Sequence, residues 1–205
     1  MTSQAASSRC ANISKGELRT SVLDSMYADN RGLVVADGHV DDLDLLLGRL
    51  EPGTDHVRAE TPEEAFAMLE IAVAAGYRHL HLLGHGRPGT IIFGGRAVGA
   101  ADFAAVAAKT DSAKLNSITF WSCRTGEGDE GRAFVSTVAD AFCAGVVAFS
   151  GLCGSGALGG SWLPDVLSDE AIKPYLPFLE ASGYAHTLYG LDSWATESNN
   201  YVSVF

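Results

Sequence analysis

Apolar residues in this chain fall into short unbroken runs, and between those runs the apolar positions recur at helical spacing. "GLVVADG" carries Leu33, Val34 and Val35 and stops at Asp37-Gly38. An apolar run this short, closed by a turn, fits a strand buried on both faces. "HLHLLGH", "SITFWSC" and "VVAFSG" have the same form, and "DHVRAE" reads as a further strand. "TPEEAFAMLEIAVAAG" opens with Thr61 as N-cap and Pro62 in the first helical position and ends at Gly76. Its Ala65, Leu69, Ala72 and Val73 share one face. "DDLDLLLGRL", "AADFAAVAAKT" and "DEGRAFVSTVADAFCAG" read as helices, the last with Phe134, Val138, Ala141 and Phe142 in one stripe. "TIIFGGRAV" reads as a hairpin with Gly94-Gly95 at its tip. Strands alternating with helices predict an α/β fold around a mostly parallel sheet.

The two ends are patterned more weakly. An N-terminal arm over 1–32 is expected, with a short amphipathic helix around Leu18 to Met26, then an α/β domain over 33–165. A C-terminal extension over 166–205 is expected to pack on the same domain. In it "PYLPFLEASGYA" reads as a helix interrupted by Pro174 and Pro177, and "NNYVSVF" as an edge strand.

Composition narrows the partners. With 47% hydrophobic and 19% charged residues among 205, the chain is globular in character. A formal net charge of -11 disfavours nucleic acid and anionic membrane, and favours a peptide or protein partner of basic character. No apolar run approaches the roughly 20 residues of a membrane-spanning helix, and the N-terminus has no secretory core. The expected address is cytoplasmic, and the oligomeric state is left open. The four cysteines, Cys10, Cys123, Cys143 and Cys153, have neither metal-finger spacing nor the density of a disulfide scaffold, so free thiols are expected.

Candidate chemistry gathers at strand ends. In a parallel sheet ligands bind outside the carboxyl ends of the strands. Asp37-Gly38, His85-Gly86, Cys123-Arg124 and Ser150-Gly151 all fall there. Nucleophilic catalysis needs a thiolate, a base to form it and donors for the developing oxyanion, and His85 with Cys123 is the obvious pair. Cys123 precedes a polar, glycine-containing loop, which is expected to leave the sulfur where packing ends and solvent begins. Arg124 and a following helix N-terminus would favour thiolate. The competing readings are an inert core cysteine and a turn histidine bonded to a backbone carbonyl. His79, His81 and His85 share strand parity and have the residue type for zinc. The run lacks a nearby acidic residue to complete such a site, so neither a metal nor a cofactor is expected.

The segments "LHLLGHGRPG" and "ITFWSCRTGEGDEGRAFV" resemble those of a bacterial family of domains of unassigned function, grouped with the caspase-like (clan CD) cysteine peptidases. A strand ending His85-Gly86 before a turn and hairpin carries the likeness. So do Ser122-Cys123 before a glycine-containing helix start, "ALGG-x-W" over Ala157 to Trp162, and "LVVADGHVDDLDLLLGRL" as first strand and helix. The resemblance spans roughly Leu33 to Trp162. It implies a caspase-like three-layer α/β sandwich with a mostly parallel central sheet flanked by helices. It further implies His85 as general base and acid, Cys123 as nucleophile, and the backbone N–H groups of Gly86 and Cys123 as oxyanion hole. Asp37, Ser122, Arg124, Ser150 and Trp162 would line the substrate pocket. A carboxylate at Asp37 would favour Arg or Lys before the scissile bond, unless it caps its own turn. Arg124 stands where relatives often have a small polar residue. The expected function is a cysteine endopeptidase acting through an acyl-enzyme. A catalytically silent binding or adhesion module is the alternative, and a zinc hydrolase a distant third.

Overall fold

The computed structural model describes residues 32–111, 115–170, 177 and 183–189. The expected N-terminal arm up to residue 31, the interrupted helix "PYLPFLEASGYA" up to 182 apart from Pro177, and the edge strand "NNYVSVF" lie outside them.

The apolar runs become parallel strands. β1 (Gly32–Asp37), β2 (Asp55–Ala59), β3 (His79–Leu83), β7 (Ser117–Trp121) and β8 (Gly145–Ala148) pair side by side in the order β2-β1-β3-β7-β8. β9 (Val166–Leu167), unanticipated in the sequence, closes the six-stranded sheet as an antiparallel edge. The strand expected to run on to His85-Gly86 stops at Leu83, and His85–Arg87 form a separate strand, β4. It pairs with β5 (Thr90–Phe93), which pairs with β6 (Arg96–Gly99), in a separate three-stranded antiparallel sheet. The Gly94-Gly95 tip has positive φ at both residues, 53° and 74°, which glycine adopts at no steric cost.

Four helices connect the strands. α1 (Leu43–Leu47) is shorter than its sequence pattern suggests. α2 (Pro62–Ala74) begins as expected, the Thr61 side chain accepting a hydrogen bond from the Glu64 N–H at 3.2 Å. α3 (Ala100–Ala107) and α4 (Gly128–Phe142) follow.

Alternating strand residues point to opposite faces, so the sheet has two cores. On one face Leu33, Val35, Leu80, Leu82, Ile118 and Phe120 pack against α2, α3 and α4 through residues such as Leu69, Phe103 and Phe134. On the other face Val34, Ala36, Leu83, Trp121 and Cys123 pack against α1 and against Tyr184 and Leu188 from beyond the expected domain limit. The result is a three-layer α/β arrangement with a mostly parallel central sheet. Among the described residues no helix is long and apolar enough to cross a membrane.

Candidate active site

The ends of β3 and β7 meet. The strands are neighbours in register, Leu83 opposite Trp121, and the Gly84 N–H donates to the Trp121 carbonyl at 3.1 Å. Beyond them, a Cβ placed on Gly86 would stand 2.5 Å from the Cys123 carbonyl oxygen, 2.5 Å from Thr125 Oγ1 and 2.8 Å from Ser122 Cβ. No side chain fits there, which is why the residue after His85 is glycine. The hydroxyls of Ser122 and Thr125 lie 2.6 Å apart, and Thr125 donates to the Thr90 carbonyl at 3.0 Å. The second of these bonds, with the Gly89 N–H donating to the Thr125 carbonyl at 3.0 Å, fastens the cysteine loop to the hairpin that carries His85.

His85 is half-buried, and its Nδ1 is buried without a hydrogen-bond partner among the described residues. The turn-histidine reading required a bond to a backbone carbonyl, and this nitrogen makes none.

Cys123 departs from expectation. Its side chain is fully buried, not set at the edge of solvent. The thiol donates to the Cys153 carbonyl at 3.4 Å, and the Cys153 N–H donates back to Sγ at 3.1 Å. Burial pushes this thiol from 9.0 up to about 11. The Cys153 backbone, Arg124 and the Leu188 backbone act in the opposite direction without offsetting the loss of solvent. Arg124 therefore acts as anticipated but is outweighed. It adopts a left-handed φ of 60°, and its Nε donates to Glu127 Oε2 at 2.5 Å.

The remaining pocket residues divide. The rim loop after β8 reaches the cysteine loop: the Arg124 N–H donates to the Gly151 carbonyl at 2.8 Å. Neighbouring Ser150 is held by Asp165, which accepts from its N–H at 2.8 Å and from its hydroxyl. Trp162 stacks between Trp121 and Tyr184, at centroid distances of 6.3 and 5.6 Å. Asp37 sits beside Gly84 but turns toward the hairpin. Its Oδ1 accepts from the Gly94 N–H at 3.3 Å and from the His39 N–H at 3.2 Å, and lies 2.9 Å from His39 Nδ1. This is the turn-capping role; Oδ2 is buried and has no hydrogen-bond partner among the described residues.

His79 and His81 do not join His85. His79 Nδ1 lies 2.8 Å from Ser117 Oγ. Buried His81 accepts from Trp121 Nε1–H at 3.2 Å, and burial holds its pKa down at about 3. Among the described residues no group of three side chains is placed to hold a metal. Cys123 and Cys153 are free thiols, whereas Cys143 is disulfide-bonded, which corrects the expectation of four free thiols.

Sequence reading passed over Cys153, Tyr184 and Leu188. The first looked like a loop cysteine and the others lay outside the assigned domain. Residues 33–188, most of the chain, match the model of DUF4347, described as a domain of unknown function. The chain belongs to the DUF4347 family. No curated protein matches the sequence. The DUF4347 match extends to Leu188, so the segment carrying Tyr184 and Leu188 is part of the family domain.

Proposed function

We propose that this DUF4347 domain is a caspase-like cysteine peptidase. The observation that carries the reading is the junction of His85-Gly86 with Ser122-Cys123, packed so closely that Gly86 has no room for a Cβ. His85 and Cys123, of complementary chemistry, each follow by two residues the end of one of two adjacent parallel strands, β3 and β7, at the rim where parallel sheets bind ligands. The uncommitted Nδ1 of His85 supports a catalytic role over a structural one. In the proposed reaction His85 takes the thiol proton and Sγ attacks the peptide carbonyl. The C–N bond breaks as His85 returns the proton to the leaving amine, and water then hydrolyses the thioester. The basic preference expected from Asp37 is not carried forward, since that carboxylate is engaged at the hairpin tip.

A catalytically silent binding module is the second reading, favoured by the buried thiol with its raised pKa. The test is product analysis by mass spectrometry after incubation with a pool of unstructured peptides. Cleavage is expected to disappear in Cys123→Ala and His85→Ala, with far-UV circular dichroism unchanged. Cleavage that persists in Cys123→Ala would overturn the peptidase reading, and no cleavage by any form would favour the binding module.

A further inference from the structure

The cover over Cys123 is a short piece of backbone. Residues 183–189 contain no helix and cross the loop that follows β8. Thr187 forms an antiparallel bridge with Gly154. On either side of it the Ser155 N–H donates to the His186 carbonyl at 2.9 Å, and the Leu188 N–H donates to the Cys153 carbonyl at 2.8 Å. Gly154 permits this approach: a Cβ there would stand 2.6 Å from both the His186 carbonyl oxygen and Thr187 Cα. Leu188 is fully buried in the cluster that holds Leu83, Cys123 and Cys153, and its backbone acts to lower the thiol pKa. Tyr184 stacks on Trp162, and His186 Nε2 lies 3.0 Å from Asp42 Oδ2.

Paired backbone bonds with one side chain sunk beside a reactive group are the marks of an extended peptide added to a strand edge. We propose that Leu152 to Ser155 form an edge for extended peptides and that Gly183 to Leu188 are its resident occupant, an internal strap that shields Cys123. An incoming peptide with an aliphatic residue at the place of Leu188 competes with the strap for the edge. The binding edge stands by itself; only the consequence for turnover rests on the peptidase reading. The strap is suited to release because, among the described residues, its backbone bonds to the edge are two, both to a loop.

The test uses the full chain. Leu188→Asp places a carboxylate in the apolar site, and Gly154→Ala crowds the strap from the opposite side. Each cysteine's rate of iodoacetamide modification is followed by mass spectrometry at neutral pH, with circular dichroism as the fold control. Cys123 is expected to react about tenfold faster or more in both variants, with native dichroism. A capped peptide of residues 183–189 at millimolar concentration is expected to restore protection in Leu188→Asp. Unchanged labelling in both variants, or failure of the peptide to protect, overturns the strap. So does simultaneous labelling of Cys123 and Cys153 with loss of native dichroism, which would mark the segment as core. Released Cys123 that labels quickly yet cleaves no peptide supports the strap and overturns the peptidase reading.

Discussion

The two faces of the central sheet are covered by different means. One carries α2, α3 and α4, whose Phe103 and Phe134 interlock edge-to-face with Phe120 at 5.2 and 4.9 Å. Among the described residues the other carries the five-residue α1 and the segment 183–189, which contains no helix. Cys123 faces this second layer, together with Trp121 and Leu188. A long helix is held by its own backbone ladder and by several turns of packing, whereas a strap bound through a loop can leave without unfolding the sheet. The nucleophile candidate thus lies on the face whose cover is the easier to remove.

The sharpest way to break this contrast is to empty each face in turn. Phe120→Ala removes a fully buried ring from the helix-covered side and is expected to cost about 3–5 kcal/mol. Leu188→Ala, equally buried, is expected to cost about 2 kcal/mol, the low end for such truncations, because the strap can settle into the space left. Urea unfolding of both variants checks this. Equal costs would show that the strap is as firmly built into its core as Phe120 is into the other.

Acid tests the Cys123 face by a second route. His81 is buried and neutral, accepting from Trp121 Nε1–H, with its pKa held down from 6.5 to about 3. The unfolded chain takes up a proton near pH 6.5, and the folded chain does not until about pH 3. His81 therefore favours the folded state above pH 6.5, and that contribution is lost as pH falls toward 3. The slope approaches about 1.4 kcal/mol per pH unit for this one proton. Thermal melts between pH 7 and 4 should show a steeper fall in the parent than in His81→Gln, and identical slopes would remove His81 from the account.

Gly86→Ala acts where the hairpin meets the cysteine loop. The added methyl would stand 2.5 Å from the Cys123 carbonyl oxygen and from Thr125 Oγ1, so backbone must move. Overpacking of this kind costs about 1–3 kcal/mol. The same shift should change the alkylation rate of Cys123 in the strap-released Leu188→Asp background. A tolerated Gly86→Ala with unaltered reactivity would mean that the two strand ends are less tightly joined than their packing indicates.

Much of the helix-covered face was legible in the sequence, and little of the other was. Leu69, Phe134 and Val138 recur at helical spacing, and Thr61-Pro62 marks a helix start, because local backbone geometry imposes those periods. The ends of β3 and β7 were visible to within two residues for the same reason, since an apolar run that stops at a polar residue marks the edge of the sheet. The burial of Cys123 was not visible. It depends on Leu188, remote in sequence, inside a stretch with neither strand alternation nor helical period. A three-residue β4 was hidden because His85, Gly86 and Arg87 have no apolar pattern, and only pairing with Thr90 to Ile92 makes them a strand. Asp37 was read as a pocket wall or a turn cap, and only the position of the Gly94 N–H distinguishes the two.

The smallest effect concerns the fastening of the cysteine loop to the hairpin. Ser122 and Thr125 are both buried, their hydroxyls 2.6 Å apart, and Thr125 passes its own proton to the Thr90 carbonyl at 3.0 Å. With the Thr125 hydroxyl proton committed, Ser122 is the donor in the pair. Ser122→Ala removes that donor and leaves Thr125 still bonded to Thr90, so the loss is one neutral hydrogen bond, about 1 kcal/mol. Thr125→Val removes both bonds and leaves the Ser122 hydroxyl and the Thr90 carbonyl unsatisfied, and is expected to cost about 2 kcal/mol. Urea denaturation of the two variants tests the order. If Ser122→Ala proves the more damaging, the donor runs the other way, from Thr125 to Ser122, and the tie between cysteine loop and hairpin depends on Ser122, the residue before the thiol.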